Sequence, residues 1–134
     1  MWLYQMATTT GFSPEIYRDE VWEDKIVRWG THSIQGTKQR PEVGDTIVFW
    51  FAKTRNKEPG LYGWGVVVEA RDRSARIGFR TVHPSDYMKM HPIYGEEVEK
   101  LIHHILGRMR RATMWKVSDK HARAIRSKIH QWAR

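Results

Sequence analysis

The sequence predicts an α+β fold: a small curved mixed or antiparallel sheet, or an open barrel, with about three flanking helices. Three observations carry that prediction. Three strand-like stretches, Thr46–Ala52, Leu61–Ala70 and Ala75–Val82, follow one another with short connections, as antiparallel neighbours do. Two later stretches, Glu96–Leu106 and Asp119–Ala133, repeat apolar residues at steps of three and four, the period of a helix packed on one face. The 134 residues, 40% of them apolar, suffice for one core, so residues 1–134 read as one domain.

In order along the chain, Met1–Met6 is rich in Trp, Leu and Tyr and reads as a first strand. Ala7–Phe12 is a threonine and glycine loop. Ser13-Pro14-Glu15 combines an N-cap, a proline at the first helical position and an acid in the first turn. This start predicts a helix running to Val27 or Arg28, with Ile16, Tyr17, Val21, Trp22 and Ile26 as its apolar stripe. Gly30 ends that region, and Thr31–Glu42 reads as a polar loop. Gly44-Asp45 is a turn before the apolar strand Thr46–Ala52.

Leu61–Ala70 reads as a central strand, and Arg71–Ser74 as a charged turn. Ala75–Val82 alternates basic with apolar residues, like a half-exposed strand. His83–Gly95, with Pro84 and Pro92, is a loop. Gly107 stops the helix Glu96–Leu106, Ala112–Val117 is a short last strand, and Ser118 caps the final helix.

Composition narrows the function. There are no cysteines, which removes disulfides, thiolate metal sites and a thiol nucleophile, and fits the cytoplasm. No apolar run approaches the ~20 residues of a membrane span, so no membrane partner is expected. The net charge of +8 is unevenly spread. Residues 1–107 carry 14 basic and 14 acidic side chains, whereas residues 108–134 carry nine basic ones and only Asp119, so 9 − 1 = +8 lies in the last segment. A basic segment points to a polyanion, because each phosphate neutralised releases counterions. Arg108, Arg110, Arg111, Lys116 and Arg123 are the expected phosphate contacts, set among Met109, Met114 and Trp115.

Seven tryptophans exceed what a core of this size needs. Trp50 and Trp132 sit in apolar patterns that favour packing, and Trp2 and Trp115 fit either role. Trp29 differs, standing before the small and polar run Gly30-Thr31-His32-Ser33. Trp64 is flanked by Gly63 and Gly65, whose bare backbone admits a close neighbour. The expected base pocket comprises Trp29, Gly30, Thr31, Ser33, Trp50, Tyr62 and Trp64. An indole stacks any base, worth roughly 1–3 kcal/mol, while hydroxyls such as those of Thr31 and Ser33 read its edge.

The seven histidines show no metal-binding spacing such as HExxH, and His103 and His104 are adjacent on a helix, so no metal or cofactor is expected. Asp86, Glu69, Glu96 and Glu97 belong to no recognisable catalytic motif, and no GxGxxG or Walker sequence occurs, so the chain does not read as an enzyme.

The segments Gly44-Asp45-Thr46-Ile47-Val48-Phe49-Trp50 and Pro59-Gly60-Leu61-Tyr62-Gly63-Trp64-Gly65-Val66-Val67 resemble the EVE domain of the PUA-like superfamily over nearly the whole chain. Trp29–Ser33 is similar in type and place to the cage tryptophan segment of the related YTH domains. The resemblance implies a PUA-like curved sheet and an aromatic cage for a methylated or otherwise modified base. YTH domains bind N6-methyladenine in RNA, and EVE modules are associated with modified DNA bases, including in prokaryotic modification-dependent restriction. It implies Trp29 as the first cage residue, Thr31 and Ser33 as edge readers, and Trp64 or Trp50 as a second wall. After Trp2-Leu3 the chain departs from the family's Lys-Ser-Glu-Pro-like stretch, having Gln5-Met6-Ala7-Thr8.

The expected activity is therefore a non-catalytic reader of nucleic acid, DNA or RNA, with base flipping and a partner protein supplying any catalysis. The alternatives are a general RNA-binding module without modified-base selectivity and a small nucleic-acid hydrolase.

Overall fold

A computed structural model describes residues 1–6, 26–31, 34–35, 39–52, 59–73, 76–82, 93–108 and 114–132. Among these, eight strands form one mixed sheet: β1 (Trp2–Met6), β2 (Ile26–Thr31), β3 (Ile34–Gln35), β4 (Thr46–Phe51), β5 (Gly60–Arg73), β6 (Arg76–Val82), β7 (Ile93–Tyr94) and β8 (Met114–Lys116). Helices α1 (Glu96–Leu106) and α2 (Asp119–Trp132) complete an α+β fold, as the sequence predicts. The strand order is β2-β6-β5-β4-β1-β8-β3, with β7 paired to β5. The expected antiparallel run of the three middle strands is β4-β5-β6. β1 lies parallel to β4 and antiparallel to β8, which makes the sheet mixed.

Several boundaries differ from the sequence reading. Ile26–Thr31 is a strand paired antiparallel with β6, not the end of a helix, so Trp29 stands mid-strand opposite Phe79. Its β-branched and aromatic residues satisfy the edge of β6 better than they would extend a helix. The proposed first helix otherwise falls on residues outside those described. The stretch read as a polar loop after Gly30 contributes the end of β2 and the short β3, which pairs with β8. Arg71–Arg73 extends β5 rather than forming a turn. Ile93-Tyr94, read as loop, pairs with Leu61 and Gly60.

The sheet has two packed faces because successive strand residues point to opposite sides. On one, Leu3, Val48, Trp50, Leu61, Trp115 and Val117 pack under Val98, Ile102 and Leu106 of α1 and Ala122 and Ile125 of α2. Leu101 and Ile105 of α1 and Ile129 of α2 pack against this core, partly buried. On the other, Trp2, Met6, Ile47, Phe49, Phe51, Val67 and Met114 form a second cluster, with half-buried Tyr4 and Ile34 beside it.

The ends of the helices follow from capping. Gly107 takes φ 58 and its N–H donates to the His103 carbonyl at 3.0 Å. The Ser118 hydroxyl accepts from the His121 N–H at 3.3 Å at the start of α2. The Gly44-Asp45 turn is stitched to β5, with Gly44 N–H donating to the Val67 carbonyl at 2.8 Å and Val67 N–H to the Asp45 carbonyl at 2.9 Å. Gly44 adopts φ 95, a conformation that favours glycine.

Candidate functional site

The register divides the expected pocket residues between the two faces. Phe49 pairs with Gly63 and Ile47 with Gly65, so both glycines fall on the face opposite the helices. Both are buried, and neither contributes a side chain beside Phe49 and Ile47. Val67 follows on the same face and pairs with Thr81. β6 then carries Phe79 and Ile77 at the same parity, and these stand opposite Trp29 and Thr31 of β2. The Trp29 and Thr31 positions therefore share a sheet face with Gly63, Gly65 and Phe49. Gly30 has the opposite parity.

Trp64 and Trp50 belong to the other side. Trp64 pairs with Val48 and packs, partly buried, against the core under the helices. Trp50 is 1% exposed in that core, with its ring edge-on to His103 at 6.4 Å between centroids. The sheet thus stands between these two indoles and the Trp29 position, and neither serves as a wall facing it. The reason is strand parity, which a one-residue step inverts. Tyr62 occupies the irregular position of β5 where the register with β4 shifts. Ser33 and His32 lie outside the described residues.

Phe49 borders Gly63, and Tyr4 lies beyond it on β1, the two rings 5.9 Å apart at 60°. Tyr4 is half-buried while Phe49 is fully buried. Neither ring stood out in the sequence. Tyr4 carried the signal of alternation within the first strand, but only pairing with β4 sets it on the glycine face.

Trp2 and Trp115, ambiguous in the sequence, are both core residues, 2% and 4% exposed. The Trp2 indole N–H donates to Asp45 Oδ2 at 2.9 Å, and the Glu42 N–H donates to the same oxygen at 2.9 Å. The Asp45 carboxylate is therefore a fastener between β1 and the turn before β4.

Arg108, Lys116 and Arg123 are exposed, as phosphate contacts must be, and so are Lys120 and Arg126. Arg110 and Arg111 lie outside the described residues. Lys116 also donates to the Gln39 side-chain carbonyl. Because α2 covers the helix side of the sheet, its cations are separated by the sheet from the Trp29 face. Lys128 is taken up by a contact with Glu97 of α1. That contact, with the charge of Lys128, holds the Glu97 carboxyl below the usual glutamate range.

A surface depression of about 480 Å³ lies between β7, α1 and α2, lined by Ile93, Tyr94, Glu96, Glu97, Lys128 and Gln131. Its two glutamates suit neither a phosphate nor a carboxylate. Among the described residues no group of three or more His, Asp or Glu side chains is placed to hold a metal ion. No described helix is long and apolar enough to cross a membrane.

The fold is shared with solved structures. A hypothetical protein from Leishmania major is similar over 99% of this chain and 96% of its own, with TM-score 0.64 and 16% identity. A Pseudomonas putida protein matches over 96% and 98%, with TM-score 0.61 and 15% identity. The N-terminal domain of Thermococcus gammatolerans McrB, solved bound to m5C DNA, matches over 97% and 96%, with TM-score 0.50 and 14% identity. No family model and no curated protein matches the chain. At these identities the likeness is one of fold.

Proposed function

We infer that the chain is a non-catalytic nucleic-acid reader of the EVE, PUA-like kind, acting in the cytoplasm and taking one modified base out of its strand. The observation that carries this reading is the placing of Trp29 and Thr31 on one sheet face with the exposed Ala70, through Phe79 and Ile77 of β6. A flat ring needs an aromatic surface, a floor without side chains and a polar group at its edge. The Trp29 position supplies the first and Thr31 the third, and the small, exposed Ala70, in the same row as Trp29, stands nearest to the second. Gly63 and Gly65 are buried five and more residues farther along β5 and form no part of it. The same fold in the McrB domain, which was solved with m5C DNA, supports a modified base as the ligand.

Energetics set what selectivity to expect. Extruding a base costs a few kcal/mol, least in a single strand. Burying one methyl group returns about 0.8 kcal/mol, and contact with an indole adds to it, for about tenfold selectivity. Any catalysis on the bound strand falls to a partner protein in this reading, since the domain is asked only to bind.

The test is oligonucleotide binding at fixed salt, with plain, N6-methyladenine, 5-methylcytosine and 5-hydroxymethylcytosine versions in DNA and in RNA. One modified form should bind about tenfold more tightly than its plain counterpart, and Trp29→Ala should erase that difference. Equal affinity for all versions sinks the modified-base pocket and leaves a general RNA-binding module if RNA is bound. Cleavage or deamination of any oligonucleotide by the purified chain points instead to the hydrolase.

A further inference from the structure

We propose that the outer end of the sheet, β2-β6-β5, carries a second phosphate-binding surface made of Arg28, Arg71, Arg73, Arg76 and Arg80. It rests on the nucleic-acid part of the reading above, not on the modified-base pocket.

Counted along the chain, these arginines are hidden, because residues 1–107 are neutral overall. The register brings them together. Arg73 pairs with Arg76, Arg71 with Gly78, and Glu69 with Arg80 across β5 and β6. Arg28 pairs with Arg80, and Gly30 with Gly78, across β6 and β2. All five arginine positions thus have one parity, and Glu69 is the acid that shares it. Asp72, the other acid of the hairpin, pairs with Ile77 on the opposite face, that of Trp29 and Thr31. The arginine face carries five cationic positions against one anionic, a net of 5 − 1 = +4.

The part of β5 that leads to this end is open to solvent. Val67 is 1% exposed, but Val68 is 44% exposed and Ala70 is exposed too. β5 and β6 run on as a ribbon from there to Arg73 and Arg76.

A solvated strand face ordinarily interleaves both signs. Here Arg73 with Arg76 sets like charges opposite each other with no acid in the row, which disfavours the sheet, whereas the Arg28–Arg80 row has Glu69 at its other end. A polyanion laid over them removes that repulsion. The fit to a phosphodiester backbone is also spatial. Alternate positions on a strand lie roughly 7 Å apart and neighbouring strands about 4.8 Å apart. Gly30 and Gly78 sit side by side between the Arg28–Arg80 and Arg73–Arg76 rows and leave a flat floor for close approach. Arginine binds phosphate with two parallel N–H donors, so a cluster of this residue rather than lysine favours the same ligand.

The test compares the parent chain with R73Q/R76Q, with R71Q/R80Q and, as a second surface, with K120Q/R123Q on α2. Each is titrated with a fluorescent single-stranded DNA, its RNA equivalent and a DNA duplex, plain and modified, at several salt concentrations. Each lost phosphate contact should lower the slope of log affinity against log salt by about 0.7 on a single strand and about 0.9 on a duplex. R73Q/R76Q should reduce it by about one to two, weaken binding on the order of tenfold, and do so equally for plain and modified oligonucleotides. Its melting temperature should equal or exceed the parent's, since a repulsive pair is gone.

Unchanged slopes and affinities for both arginine variants overturn the proposal, even if modified bases are preferred. A parent without any base preference but with slopes lost in these variants upholds it and removes only the pocket. Loss of binding to phosphatidylserine vesicles with oligonucleotide affinity unchanged assigns the surface to a membrane and also overturns it.

Discussion

Asp45 joins three pieces of the chain through one carboxylate. Its Oδ2 accepts from the Trp2 indole and from the Glu42 amide, while its own amide donates to the Glu42 carbonyl at 3.0 Å. Trp2→Phe removes one donor and, the phenyl ring being smaller than the indole, some packed volume from a buried site. Hydrogen bonds to a charged group contribute about 1.5–3 kcal/mol, and the remaining amide keeps the carboxylate partly satisfied. With the packing lost as well, the expected loss is about 2–4 kcal/mol in urea unfolding with an unchanged m-value. At Gly60 the limit is steric rather than polar. A Cβ there would lie 2.8 Å from Tyr94 Cδ1 and 3.0 Å from the Ile93 carbonyl oxygen. The ring can swing aside but the carbonyl belongs to a paired backbone, so Gly60→Ala should cost about 1–3 kcal/mol by the same measurement.

At the scale of elements, α1 and α2 are held to the sheet by apolar stripes, and the Glu97–Lys128 contact links them to each other. Ile102 is 0% exposed at the centre of the α1 stripe, against the core that includes Trp50 and Leu61. Ile102→Ala should destabilise by about 2–5 kcal/mol, the range for a large aliphatic removed from a packed core. The Glu97–Lys128 contact is different in kind, being exposed and worth little. Its pH dependence is nevertheless readable. The folded Glu97 carboxyl is held below its usual value, first by the hydrogen bond from Lys128 and then by its charge. The contribution is thus present above the unfolded glutamate pKa and fades as pH falls through the lower folded value. Glu97→Gln should therefore lower the melting temperature slightly near neutral pH and not at all at strongly acid pH. An equal shift at both would assign the effect to something other than this charge.

Across the whole molecule, the sheet acts as a partition. One face is closed by α1 and α2, and its tryptophans, Trp50, Trp64 and Trp115, are spent on that closure. The opposite face carries the glycine pair and the Trp29 position. The basic residues lie on the side away from Trp29, the exposed cations of α2 over the core and the arginine positions at the far end of β5 and β6. A bound strand that reaches both the Trp29 face and these cations has to pass around an edge of the sheet. Trp29 and Arg28 hold positions of opposite parity on the edge strand β2, so that edge is the shortest route.

The sequence by itself determined the α+β class, the middle antiparallel strands, the bounds of α1 and the caps of both described helices. These follow from short-range physics: side-chain period, glycine and serine at helix ends, and apolar runs of strand length. It also marked Trp29 and the Gly63–Gly65 pair as unusual. Only the tertiary structure decided which residues share a face. Parity depends on pairing and on the irregular positions in β5, and these set Trp64 behind the sheet and Tyr4 on the glycine face. The same long-range pairing gathered five arginines that chain order scatters over 53 positions, from Arg28 to Arg80. It made Ile26–Thr31 a strand too, since the partner that satisfies its backbone lies some fifty residues away in β6.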